Sequence, residues 1–356
     1  MLKRCWLVLV AVALVAQSAE TRRTSPPGPQ QAVHPDAGKP GSVAALFDRA
    51  WRDFDEHYAY FVHKHIDWGA VRAEHEKAFT EDLGAEAFAE RLAAMLEVLH
   101  DWHVSVRAPS GRMMGYSTPF ATNLPSTPRN RYTRDGYEAL GGGVIRHGWL
   151  DNQVAYIRID SLVRALLPGV RDEDLDRLLA AYARARGMIL DLRANNGGDE
   201  GLALRVAAHF TATPVVYGYT RTRNGPRHED FGPMTPKTLQ PGATSPFRGP
   251  VVALVGRRTM SSGEWFALMI RACPHGKLVG DRTRGASGNP RVFSLPNGVS
   301  YSISSWVACD AEGRPFEDRG LEPDILVPAT RSFDAERDYV LEQALLVVGA
   351  ARPPAT

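Results

Sequence analysis

Ser261 opens the run Ser261-Ser262-Gly263-Glu264-Trp265-Phe266, shortly after the apolar stretch Val251-Val252-Ala253-Leu254-Val255, so a hydroxyl stands where a buried strand gives way to a helix. A side chain on a tight strand-to-helix turn projects outward, and the backbone N–H groups after it lie at a helix N-terminus, where negative charge is stabilised. That is a place for a nucleophilic serine with an oxyanion beside it. The same residues also fit a capping box, Ser-x-x-Glu ahead of an apolar run, with Ser261 as cap and Glu264 reaching back.

Three further motifs bear on chemistry. Asp191-Leu192-Arg193-Ala194-Asn195-Asn196-Gly197-Gly198 ends in residues tolerant of positive φ, which lets backbone N–H groups turn toward an anion or a carbonyl oxygen; a plain turn with Arg193 paired to a carboxylate satisfies the same residues. Its spacing is that of neither a Rossmann nor a P-loop glycine fingerprint, which argues against phosphate binding. Thr283-Arg284-Gly285-Ala286-Ser287-Gly288 follows Leu278-Val279-Gly280 and has the composition of a cleft loop. Phe316-Glu317-Asp318-Arg319-Gly320-Leu321-Glu322-Pro323-Asp324 precedes an apolar pair, Ile325-Leu326. The pairs His63/His65 and His100/His103 invite a metal reading, the latter three apart on a helix face, but no cysteine or carboxylate spacing completes a zinc signature. No metal and no cofactor is expected.

The elements that must position these motifs alternate from Val154 onward. Val154–Ile159, Met188–Leu192, Val251–Val255, Leu278-Val279, Tyr301–Ile303 and Ile325–Val327 read as strands; Leu175–Tyr182, Glu200–Phe210 and Glu264–Arg271 read as helices between them. Such alternation predicts a largely parallel sheet with crossover helices, and ligands of such sheets bind at the carboxyl ends of the strands, where three of the motifs fall. A last helix, Asp334–Val348, packs back on the body. Before this region, apolar residues at three- and four-residue steps from Val43 to Phe54 and from Phe88 to Leu99 predict a helical N-terminal domain. The expected divisions are a leader at 1–19, a Pro-rich linker at 20–41, the helical domain at 42–107, a connecting segment with a hairpin at 108–150, the α/β core at 151–348 and a tail at 349–356.

Taken together, the motifs at 191–198, 261–264 and 279–285, with Gly320-x-x-Pro323-Asp324-Ile325, resemble the tail-specific, or C-terminal processing, serine peptidase family. The resemblance runs from about residue 43 to 330 and takes in Leu99-His100-Asp101-Trp102-His103, which is similar to the end of the family's helical domain. It implies a crotonase/ClpP-like α/β core behind a small helical domain, with Ser261 as nucleophile and oxyanion donors from the N–H of Ser262 and of Gly197 or Gly198. The bacterial branch takes its lysine base from a Gly-Lys-Gly loop, whose matching position here is Ala286. The tricorn-core branch uses a histidine from the N-terminal region, which points to His103 as general base and to Glu317, just before Gly-x-x-Pro-Asp, as the acid that orients it. The tricorn pattern has a serine before this histidine; here it is Trp102. The family commonly inserts a PDZ domain of about 90 residues, and the stretch between His103 and Val154 has about half that length, so none is expected. A non-catalytic relative that binds apolar ligands or peptides is the competing reading.

The remaining features concern compartment and partners. Lys3 and Arg4, an apolar run from Trp6 to Ala16 and the small residues to Ala19 read as a cleavable secretory signal, too short to span a bilayer, so a periplasmic or extracellular protein without a stable membrane span is expected. Cys273 and Cys309 then stay in a compartment that permits a disulfide. A net charge of +2, with basic and acidic residues mixed, excludes the electrostatic footprint of a nucleic-acid binder. A peptide or protein substrate is the expected partner.

Overall fold

The computed structural model describes residues 41–125, 130–133, 135–150, 153–242 and 246–350. The leader, nearly all of the Pro-rich linker and most of the C-terminal tail lie outside the described residues. In chain order the helices are α1 (Val43–His57), α2 (Trp68–His75), α3 (Ala85–Leu96), α4 (Asp172–Ala181), α5 (Glu200–Ala207), α6 (Ser262–Ala272) and α7 (Tyr339–Ala350). The strands are β1 (Ser105–Arg107), β2 (Met113–Gly115), β3 (Glu138–Leu140), β4 (Ile145–Leu150), β5 (Val154–Ile159), β6 (Gly187–Asp191) and β7 (Val215–Thr222), followed by β8 (Thr235–Leu239), β9 (Val251–Val255), β10 (Gly276–Gly280), β11 (Pro290–Ser294), β12 (Ser300–Ser304), β13 (Trp306–Cys309) and β14 (Ile325–Leu326).

A continuous apolar run with no polar face can only be a strand covered on both sides, and all five residues of β9 are buried. Val251, Ala253 and Val255 point into a core shared with α4, α5 and α6. Val252 and Leu254 point the other way, onto Val340, Leu341 and Ala344 of α7. The sheet is ordered β14-β10-β9-β6-β5-β4-β3. From β5 to β14 it is parallel, with Leu254 opposite Val279 and Asp191; β4 and β3 extend it antiparallel. This is the α/β architecture expected, a mostly parallel sheet between helical layers.

The helical layer α1–α3 does not close its core alone. Phe54, Leu92 and Leu99 share a core with Phe293, Val299 and Tyr301 from the far end of the chain. The link is a second sheet, β11-β12-β1-β2, antiparallel throughout. Tyr301–Ile303, expected among the strands of the alternating core, therefore belongs to this sheet instead. The β1–β2 hairpin straddles the start of the connecting segment, β1 lying before residue 108 and β2 after it, while β3 and β4 form an antiparallel pair within the segment. A third sheet, β13-β7-β8, flanks α6.

Three local readings change. α7 starts at Tyr339 rather than Asp334, because Asp338 accepts the Leu341 N–H at 3.1 Å and ends the preceding loop. The Ser261–Glu264 capping box does not form: the Ser261 side chain makes no cap bond, and Glu264 turns inward. His100 adopts a left-handed φ of 44° just past the helical turn at Glu97–Leu99, so His100 and His103 share no helix face. Cys273 and Cys309 are separate buried thiols. Among the described residues no helix is long and apolar enough to cross a membrane, and no group of three or more His, Cys, Asp or Glu is placed to hold a metal ion.

Candidate active site

Because β6, β9 and β10 run parallel, the loops that leave their carboxyl ends emerge on one side of the sheet: 192–199 after β6, 256–261 after β9 and 281–289 after β10. Parallel pairing alone thus gathers the three sequence motifs. Hydrogen bonds then tie them together. Asn195 accepts the Met260 N–H at its carbonyl (3.1 Å), Thr259 Oγ1 donates to the Leu192 carbonyl (2.8 Å), and the Arg284 N–H donates to the Thr259 carbonyl (2.9 Å).

Ser261 sits at the meeting point, half-buried, with φ 56° and ψ −131° at the head of α6. A non-glycine residue in that region is strained and persists only where its surroundings over-determine it. Here the constraint is explicit: the Ser261 N–H donates to Ala286 O at 2.7 Å, and its carbonyl takes the N–H groups of Glu264 (2.8 Å) and Trp265 (3.2 Å). Its Oγ makes no hydrogen bond among the described residues. The backbone is held and the hydroxyl is left free.

The glycine pair closes on this turn. Gly197 has φ 97°, and a Cβ there would lie 2.7 Å from the Ser261 Cβ, so only glycine allows the approach. Its N–H is donated to Asn195 Oδ1 (2.9 Å) and its carbonyl accepts the Leu162 N–H (2.8 Å). The Gly198 carbonyl accepts the Ser262 hydroxyl at 2.8 Å. Among the described residues nothing accepts the backbone N–H of Gly198 or of Ser262. Of the two glycines considered as oxyanion donors, Gly198 is the one with an uncommitted N–H. The Arg193 reading of this motif also holds: Arg193 is buried and bonded to Asp191 (2.6 and 2.9 Å) and Asp338 (2.8 and 2.9 Å). Burial would raise the Asp191 carboxyl, but the Arg193 charge beside it brings it below the usual carboxylate range.

Glu264, fully buried, holds the 283–287 loop. Oε1 accepts from Thr283 Oγ1 (2.5 Å) and the Gly285 N–H (2.7 Å); Oε2 accepts from the Ala286 N–H (2.9 Å) and Ser287 Oγ (2.8 Å). Burial raises its carboxyl, against the pull of these four donors. Glu317, also buried, accepts the Ser287 N–H at 3.1 Å. Burial and then the charge of Asp101 push the Glu317 carboxyl well above the usual range, with Lys64 opposing.

His103 lies in the turn before β1, its carbonyl accepting Ser302 Oγ at 2.6 Å and its backbone N–H donating to Asp101 Oδ1 at 2.8 Å. Its Nδ1 is buried without a partner. Burial holds the imidazole below the ordinary histidine range, with Asp101 opposing. Among the described residues no hydrogen bond joins the ring to Ser261 or to Glu317. The acid whose charge bears on it is Asp101, which also accepts the Tyr58 hydroxyl at 3.1 Å. Sequence reasoning did not assign Asp101, although it lies within the quoted Leu99–His103 segment. It also missed Asn195 and Glu264 as the struts of the serine turn. Trp102, the departure from the tricorn pattern, stacks on Arg284, its ring centroid 4.1 Å from the guanidinium carbon. That contact links the His103 segment to the 283–287 loop.

Residues 153–327 match the family model of peptidase family S41. The carboxy-terminal processing protease CtpB of Bacillus subtilis is 22% identical over 149 residues, 42% of this chain and 29% of that protein. Tricorn protease homolog 1 of Streptomyces coelicolor is 26% identical over 216 residues, 58% of this chain and 19% of that protein. The chain thus spans less than a third of the length of these curated relatives. A crystal structure of a candidate peptidase from Parabacteroides merdae superposes with a TM-score of 0.76 at 27% identity, over 89% of this chain and 99% of the other. The matches show a likeness to the S41 peptidases, among them C-terminal processing and tricorn-like proteases, carried by residues 153–327.

Proposed function

We propose that this chain is an exported serine endopeptidase that cleaves peptide or protein substrates through an acyl-enzyme on Ser261, with His103 as general base. The observation that carries the reading is the strained Ser261 turn, whose free hydroxyl is flanked by the two uncommitted N–H groups of Ser262 and Gly198. A scissile carbonyl placed there meets a nucleophile and two donors at once, and the Ser262 N–H adds the positive end of α6. A serine hydroxyl needs a base to take its proton. His103, held neutral by burial, supplies it when the helical layer and the core close across their seam, and Asp101 favours the imidazolium that forms. Glu317 acts at one remove, fixing Ser287 beneath the serine turn. Export follows from the leader proposed at 1–19, and the stretch between His103 and Val154, about half the length of a PDZ domain, leaves substrate selection to the cleft itself.

A fluorophosphonate probe should label the wild type and not Ser261→Ala, and peptide hydrolysis should fall by about 10³-fold or more in His103→Ala. Undiminished hydrolysis in His103→Ala would refute the assignment of the base. The lack of a Ser261–His103 hydrogen bond favours one other reading, a non-catalytic binder of apolar ligands or peptides. That reading calls for no labelling together with tight binding of a hydrophobic ligand.

A further inference from the structure

Beside the serine turn lies a cavity of about 470 Å³, lined among others by Lys64, His100, Trp102, Phe120, Arg257 and Arg284. Its basic groups differ in one respect. Lys64 is paired with Asp318 at 2.6 Å, whereas among the described residues Arg257 and Arg284 meet no carboxylate. Arg257 only donates to the Thr283 carbonyl, at 3.0 Å.

Arg284 is the unusual member. It is 7% exposed, its guanidinium carbon lying 4.1 Å from the Trp102 ring centroid and 3.6 Å from that of Phe120. Its Nε and Nη2 are buried with no acceptor. Buried donors left unclaimed cost free energy, and a structural arginine normally finds a carboxylate or carbonyl. Two aromatic faces offset part of that cost by cation–π attraction and hold the planar fork in one orientation. They satisfy none of its N–H groups. Such a guanidinium is preorganised for an acceptor that the protein itself does not supply, and a carboxylate can engage it through two parallel bonds.

Its position relates the cavity to the reaction. The Arg284 N–H is bonded to Thr259, two residues before Ser261, and Ala286, two residues after Arg284, accepts the Ser261 N–H. We propose that this cavity is a subsite for a carboxylate of the peptide substrate, with Arg284 as its specificity-determining residue and Arg257 as a second positive charge. The inference rests on the peptidase reading above. The carboxylate is either the α-carboxylate of a chain end or an Asp or Glu side chain close to the scissile bond. Burial, with Arg257 and Arg258 nearby, brings the guanidinium down to about 10, against the charge of Glu264, so it stays charged at neutral pH.

The test uses N-acetylated decapeptides of one neutral sequence in three forms: a free C-terminus, a C-terminal amide, and a series of amides with a single Glu moved through each position. Cleavage is followed by mass spectrometry, and binding to Ser261→Ala by calorimetry. A carboxylate-bearing peptide should exceed the plain amide by about 10- to 100-fold in kcat/KM and in affinity, the first form identifying a chain end and the third a side chain. Arg284→Gln should collapse that ratio, and Arg284→Lys should keep part of it. If the wild type handles all three forms alike, or if Arg284→Gln keeps the ratio, the inference falls while the peptidase reading stands. If nothing is cleaved but Ser261→Ala still binds carboxylate peptides preferentially, the subsite stands and the reaction is lost. Should the Arg284 variants not fold, the wild-type ratio and the Ser261→Ala affinities decide alone.

Discussion

The backbone N–H of Ser261 donates to the carbonyl oxygen of Ala286 at 2.7 Å. Ala286, the middle of Gly285-Ala286-Ser287, is therefore bonded to the candidate nucleophile itself, and it is fully buried. The loop that carries it is fastened from behind by Glu264, which makes that carboxylate as important to the serine as the serine's own neighbours.

Glu264→Ala should lower the unfolding free energy by about 3 kcal/mol or more, since it strands the buried N–H groups of Gly285 and Ala286. Glu264→Gln should be nearly as damaging. Each carboxylate oxygen accepts one of those two N–H groups, and an amide offers an oxygen on one side only. Urea denaturation of both variants measures this, and a Gln variant as stable as the wild type would contradict the geometry.

The two glycines should respond differently to alanine. At Gly197 the added methyl lies 2.7 Å from the Ser261 Cβ at φ 97°, so Gly197→Ala displaces the Ser261 side chain and should cut kcat by about 10²-fold, with a smaller loss of Tm than at Gly198. At Gly198 the methyl lies 2.3 Å from the Leu162 backbone, at φ 132°. Gly198→Ala should therefore lower the Tm as well as the activity.

With His103 as the proposed general base, its ionisation sets the pH dependence of kcat/KM. Burial depresses its pKa, so the neutral, base-competent imidazole persists below the ordinary 6.5 and the acid limb of the profile should lie below that value. Asp101 opposes the depression. Asp101→Asn removes the opposing charge and should move the acid limb to still lower pH. Glu317→Gln, whose side chain can still accept the Ser287 N–H, should leave the limb in place.

Asp338 joins the last helix to the side of the sheet that carries the candidate site, accepting from Arg193 at 2.8 and 2.9 Å and from the Leu341 N–H at the start of α7. Asp338→Ala leaves Arg193 with one buried counter-charge and should cost about 3 kcal/mol in chemical denaturation.

The parallel core was legible because its strands are short apolar runs separated by amphipathic stretches; β9 in particular runs from Val251 to Val255 as expected. The serine and glycine motifs were legible because each lies where such a strand ends. What escaped was long-range pairing. β7 and β8 join into their own antiparallel sheet with β13, and their mixed composition, with Gly218 and Pro236 inside, carries no clear alternation. The work of Glu264 escaped because Ser-x-x-Glu has a purely local explanation, and nothing in the sequence says that the carboxylate faces the 283–287 loop. Arg284 lay within a quoted motif, but its aromatic walls come from positions 102 and 120, on the other side of the seam.

The core shared by α1–α3 and the β11–β12 hairpin has a bearing on how the molecule is made. Phe54 and Leu92 are made first, and Phe293, Val299 and Tyr301, which seal them from water, follow some two hundred residues later in the chain. The first layer therefore cannot finish folding until that hairpin has been synthesised, and loop closure over some two hundred residues precedes its reward. Assembly of the scaffold around His103 thereby waits for that hairpin, and a chain cut short before it holds the three loops around Ser261 without a finished platform for the imidazole.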